Sequence, residues 1–152
     1  MYKNILCPID GSPTSNRGLQ EAIRLAQDQK AKLRLVHVVD AHFAAMDMYG
    51  SVNLGEVIEI LRQSGAKILD EAAAACTNQG LAVEPVLLDS MVGRIGEVIV
   101  RQAQEWPADL IVMGTHGRRG ASHLFMGSDA ETVVRTSAVP VLLVRDQGAA
   151  SA

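Results

Sequence analysis

A chain of 152 residues, 48% hydrophobic and 20% charged, is long enough to close one buried core and too short for two ordinary domains. Its formal charge of −3 contains no long block of one sign, and one Trp, two Tyr and two Phe are too few for a base-stacking platform, which argues against a nucleic-acid surface. No apolar run approaches the roughly 20 residues needed to span a bilayer, and nothing resembles a secretory h-region after a basic start, so a soluble cytoplasmic protein is expected.

Short β-like runs alternate with longer helical stretches, the pattern of a parallel sheet covered on both faces. A strand over 5–10 leads into Ser12-Pro13, an N-cap followed by a favoured first-turn proline, and a helix to about Gln29 that buries Leu19, Ala22, Ile23 and Ala26. The second strand is expected over 33–39. Residues 40–53, with Met46, Met48, Gly50 and Ser51, read as a mobile connection. The next helix spans 54–79 with Val57, Leu61, Ile68 and Ala72 toward the core. Gly65 interrupts it at about 1 kcal/mol relative to Ala, and Gly80 stops it. There follow a strand over 81–88, a helix over 95–104 closed by Trp106-Pro107, a strand over 110–113, a helix over 129–136 and a strand over 139–144. Residues 1–146 are expected to form a single domain and residues 147–152 a flexible tail. Cys7 and Cys76 read as packed, reduced thiols, His37 as a packed histidine, and the methionines at 46, 48, 91 and 126 as gap-fillers.

The chemistry concentrates after the fourth strand. Gly114-Thr115-His116-Gly117 and Gly127-Ser128 give the spacing G-x2-G-x9-G-S between an apolar strand and the start of a helix. Free backbone N–H groups at a helix N-terminus, with glycines that let the chain approach closely, suit a phosphate. The spacing is neither G-x-x-x-x-G-K-S/T nor G-x-G-x-x-G.

It resembles the phosphate loop of the universal stress protein family, in its ATP-binding subgroup. Four blocks fall in the family's order: Asn4-Ile5-Leu6-Cys7-Pro8-Ile9-Asp10-Gly11-Ser12, Leu35-Val36-His37-Val38-Val39, Ala108-Asp109-Leu110-Ile111-Val112-Met113-Gly114, and Val139-Pro140-Val141-Leu142-Leu143-Val144-Arg145. The resemblance implies a Rossmann-like three-layer α/β sandwich with five parallel strands in the order 3-2-1-4-5. Ligands in such sheets lie at the carboxyl ends of the strands where the order switches, so Asp10 and the glycine loop converge. The family's nucleotide positions correspond to Pro8 and Asp10 beside adenosine, the backbone near Val38 against adenine, and Met113, Gly114, Gly117, Arg118, Gly127 and Ser128 around ribose and phosphates. Arg118 and Arg119 add charge at the outer phosphates. The implied ligand is ATP, with Mg²⁺ as a possible companion and ADP or AMP as alternatives.

Each feature also has a bland explanation. Asp10 alone would cap its own turn, and Gly114 or Gly127 alone would mark a strand break or a helix start. His116 and His123 lack a third ligand at metal spacing, so no metal site is expected. Asp129, next to Ser128, competes with phosphates for the same N–H donors, unless it faces away or holds Mg²⁺. Hydrolysis needs a positioned base and metal ligands. Only His116, His123 and Asp129 are local, so no catalytic residue is assigned and turnover is expected to be slow or absent. A slow ATPase, or another enzyme using the same pocket, is the alternative. A phosphoacceptor receiver using Asp10, Asp89 and Thr115 is a third reading, without the paired acids and the Lys that receivers want. Strand 139–144, apolar and at the sheet edge, is expected to build a homodimer, as it does in related proteins. A protein partner is left open, and no membrane or nucleic-acid partner is expected.

Overall fold

Side chains alternate along the strands, and both alternating sets are apolar, so the sheet must be covered on two sides. The computed structural model describes residues 1–41, 53–91, 93–116 and 126–146 and has this architecture. The strands are β1 (Asn4–Pro8), β2 (Lys32–Val39), β3 (Val83–Asp89), β4 (Leu110–Gly114) and β5 (Val141–Val144). The helices are α1 (Pro13–Gln29), α2 (Leu54–Asn78), α3 (Ile95–Glu105) and α4 (Ser128–Thr136). All four strand pairings are parallel, in the order β3-β2-β1-β4-β5. Ile5, Cys7, Leu33, Leu35, Leu110 and Val112 pack on α1 and α2 through Leu19, Ala22, Ile23, Leu69, Ala72 and Cys76. Their strand neighbours Leu6, Val36, Val38, Ile111 and Met113 pack on α3 and α4 through Val98, Ile99, Ala103, Ala130 and Val133.

Helix α1 begins as its sequence dictates: Ser12 Oγ accepts from Ser15 N at 3.2 Å, and Pro13 occupies the first turn. It ends on Lys30 in the left-handed region (φ 55°), where a glycine is the usual residue. Helix α2 runs unbroken through Gly65. Its buried residues are Ile58, Gly65, Leu69, Ala72 and Cys76, one position round from the expected stripe, with Val57, Leu61 and Ile68 half-buried at the flanks. A Cβ on Gly65 would lie 2.6 Å from the His37 ring and 3.0 Å from Leu87 Cδ1, so the small residue brings α2 down onto β2 and β3. Gly80 (φ 76°) stops the helix. Leu81 N then bonds back to Cys76 O at 3.0 Å, which holds Leu81 in the helix stop and delays β3 to Val83.

Other element ends shift for similar local reasons. Strand β1 gives way at Pro8 because Ile9 makes a last bond to Val36 O (2.8 Å) and Asp10 N turns to Ser15 Oγ (3.0 Å). Strand β5 begins at Val141 because the Ser137 hydroxyl takes both backbone groups of Val139, at 2.8 and 3.1 Å, while Pro140 O still accepts from Ile111 N. Both thiols are buried in the α1–α2 face of the core. Burial pushes Cys76 up to about 11 and Cys7 further still, so both are protonated thiols at neutral pH. Residues 42–52, the greater part of the connection expected over 40–53, and residues 147–152, the expected tail, lie outside the described residues.

Candidate functional site

The switch in strand order falls between β1 and β4, whose Ile5–Leu110 and Leu6–Ile111 pairs place their carboxyl ends side by side. The turn after β1 is built by its own polar side chains. Asp10 Oδ1 accepts from Ser12 N at 2.8 Å across Gly11, whose φ of 81° suits only a residue without a Cβ. The bland role of Asp10, capping its turn, is therefore present. One of its oxygens does this work.

Three links fix the end of β4, the first of them to that turn. The Thr14 hydroxyl donates to His116 O. Gly127 N donates to Thr115 O at 2.8 Å, so the residue that caps α4 is held at the end of β4. Thr115 N donates to Val144 O at 3.1 Å and ties the same residue to β5. Gly114 and Gly18 make the approach possible. A Cβ on Gly114 would stand 2.7 Å from the carbonyl carbon and oxygen of Thr14, and one on Gly18 would stand 3.0 Å from Gly114 N. The glycine at 114 thus has a packing reason that the spacing of the motif did not disclose. Thr14 was also not legible, because its importance depends on which turn lies opposite.

Pro8 closes β1 opposite Val36, and β2 continues beyond that pair, so buried Val38 stands past the end of β1. Met113 and Gly114 are the last, buried residues of β4. Gly127 is the N-cap of α4, without a side-chain cap bond, and exposed Ser128 is its first residue. Gly127 gives α4 no side-chain cap, and first-turn N–H groups at a helix start are the donors an anion would take. Asp129 and Glu131 stand in the same turn, and Glu131 meets Arg135 at 3.8 Å on the exposed side. Gly117, Arg118, Arg119 and His123 lie outside the described residues. Among the described residues, no group of three His, Cys, Asp or Glu could hold a metal, and no helix is long and apolar enough to cross a membrane.

The receiver reading fails on topology. Receivers set β3 beside β1 (order 2-1-3-4-5), whereas here β2 separates them, two strand spacings or about 10 Å. Asp89 turns instead to Arg62 at 3.6 Å and Met91 N at 3.3 Å.

Comparison with known proteins agrees with this architecture. The chain belongs to the universal stress protein family, whose model matches residues 1–145. A universal stress protein of Methanocaldococcus jannaschii, MJ0531, is 33% identical over 146 residues, covering 95% of this chain and 83% of that protein. A solved member of the family from Burkholderia pseudomallei is 34% identical with a TM-score of 0.76, covering 94% of this chain and 96% of that one. A universal stress protein solved in complex with cAMP is 25% identical with a TM-score of 0.68, covering 94% and 97% of the two chains.

Proposed function

We propose that this chain is an adenine-nucleotide-binding regulatory protein of the stress response that takes ATP at the β1–β4 switch point, acts as a homodimer through β5, and turns nucleotide over slowly or not at all. Asp10 and Pro8 hold the ribose side and the Val38 backbone the adenine. Met113, Gly114, Gly117, Arg118, Gly127 and Ser128 surround ribose and phosphates. Mg²⁺ enters only as a companion of the triphosphate, and no residue of the chain is assigned to hold it. The observation that carries the reading is the closure of the two turns: Thr14 on His116 O and Gly127 N on Thr115 O bring an uncapped helix start to the carboxylate turn at the switch point. A relative of the same fold holds cAMP, which makes the adenine nucleotide the favoured class.

Calorimetric titration with ATP and Mg²⁺ tests this. Saturable binding is expected, lost in Gly117→Val and weakened at least about tenfold in Asp10→Asn, which keeps the oxygen that accepts from Ser12 N while removing the charge offered to ribose. No binding by the folded wild-type protein refutes the proposal. Phosphate release at saturating ATP separates a binding protein from an ATPase.

The dimer rests on a contrast between the two sheet edges. Strand β3 carries Glu84 and Pro85, the second without a backbone donor, whereas β5 (Val-Leu-Leu-Val) carries neither charge nor proline and leaves Leu142 37% exposed. Light scattering at micromolar concentration should report a dimer that Leu142→Lys converts to monomer; a wild-type monomer sinks this part alone.

A further inference from the structure

Among the described residues, one buried side-chain nitrogen or oxygen has no hydrogen-bond partner: Nε2 of His116. His116 follows β4, where its carbonyl meets the Thr14 hydroxyl of the opposite turn, and the hydroxyls of Ser12, Thr14, Ser15 and Thr115 are all engaged. A buried polar atom without a partner is destabilising and calls for a reason.

The neighbouring hydroxyl decides what kind of group it is. Thr115 is buried, and its Oγ1 meets His116 Nδ1 at 2.9 Å. A neutral imidazole carries one proton. With that proton on Nδ1, the ring would donate to Thr115, the hydroxyl proton would have no acceptor, and the Nε2 lone pair would be unused. With the proton on Nε2, Thr115 donates to Nδ1 and a single group is left over, the Nε2–H donor. The main chain holds the residue in place, because His116 O receives the Thr14 hydroxyl and the preceding residue, Thr115, is bonded through its N to Val144 and through its O to Gly127.

We infer that His116 Nε2–H is a ligand-binding donor for a phosphoryl oxygen, with Thr115 fixing its tautomer. The inference rests on the nucleotide reading above and adds a side-chain contact to a site otherwise described by backbone donors. An anionic oxygen is the acceptor that such a donor binds most strongly. That oxygen could come from a nucleotide or from inorganic phosphate.

Imidazole ¹⁵N NMR with calorimetry tests it. In the free protein, Nε2 should resonate as the protonated nitrogen and Nδ1 as the unprotonated one; the opposite tautomer overturns the inference. Saturating AMP should move the Nε2–H resonance and adenosine should leave it in place; equal movement with adenosine also overturns it. Movement with inorganic phosphate alone assigns the contact to the phosphoryl group without the nucleoside. AMP bound with Nε2 unmoved removes the donor role and leaves nucleotide binding standing. If neither AMP nor ATP binds, the nucleotide reading falls, and the inorganic phosphate arm alone decides whether the donor is upheld or overturned. Thr115→Val should lower AMP affinity about tenfold without changing adenosine affinity, and Thr115→Ser should restore it. If Thr115→Val does not fold, His116→Ala is read in the same way, and unchanged AMP affinity in it overturns the inference.

Discussion

Gly114→Ala tests the packing that brings the two turns together, in the absence of any ligand. The added methyl would stand 2.7 Å from the carbonyl carbon and oxygen of Thr14 and 2.9 Å from Ser15 N. All three are backbone atoms, so no rotamer change relieves the clash and the start of α1 must move away from β4. Overpacking of this kind costs about 1–3 kcal/mol. Moving α1 also breaks the Thr14–His116 bond, worth about 0.5–1.5 kcal/mol. The expected loss is about 2–4 kcal/mol, a fall in Tm of roughly 5–15 °C for a chain of this length. Urea and thermal denaturation of the ligand-free protein measure it. Gly18→Ala presses on the same interface from the other side, 3.0 Å from Gly114 N and 3.2 Å from the Met113 carbonyl carbon. The double variant should therefore lose less than the sum of the two. Gly55→Ala meets only the Asn53 side chain at 3.2 Å and should be near neutral. A Gly114→Ala protein within about 0.5 kcal/mol of wild type would refute the reasoning.

Lys30→Gly, at the left-handed end of α1, should stabilise the protein by a few tenths to about 1 kcal/mol, because glycine adopts that φ without a Cβ penalty; a lower urea midpoint counts against this. Arg34 forks onto Glu84 at 2.8 and 3.2 Å and lies 4.6 Å over the ring of Trp106, the sole tryptophan. Arg34→Lys keeps the charge and loses the fork and the stacking, so it should cost about 1 kcal/mol and change Trp106 fluorescence. An unchanged spectrum means that the ring is not held by the guanidinium. The thiols set a pH dependence. Unfolded Cys76 loses its proton near 9.0 and the folded thiol near 11, so the folded state holds the extra proton between those values and stability falls as pH rises through the window. Comparing Cys76→Ala with wild type should show a shallower loss from pH 9 to 11, by about 1.4 kcal/mol per pH unit; parallel curves would show that the thiol does not contribute.

The strands were legible because both of their faces are apolar. The α1 start was legible because Ser12-Pro13 encodes it locally. What the sequence hid depended on neighbours distant in the chain. In α2, weighting by large side chains pointed to Val57, Leu61 and Ile68, yet the sheet takes the adjacent stripe because Gly65 lets the helix settle over the His37 ring and Leu87. At β5, Val139 and Pro140 look like strand, and only the Ser137 hydroxyl, two residues back, removes Val139 from the ladder. In the site, the glycine spacing gave the place where β4 hands over to α4. It could not show that Gly114 answers to the α1 backbone, or that Thr115 and His116 form a hydrogen-bonded pair, since in the sequence Thr115 stands only within the glycine spacing and in the receiver reading.

The sheet has two ends of unlike chemistry. Glu84, tied to Arg34, and Pro85 leave β3 a poor template for another strand, while β5 offers four apolar residues in a row. A chain with one receptive border can accept one neighbour there and then has no second border to extend from. In the proposed β5 dimer, growth by edge pairing would therefore stop at a closed pair related by a two-fold axis and would not propagate as a ribbon or fibre.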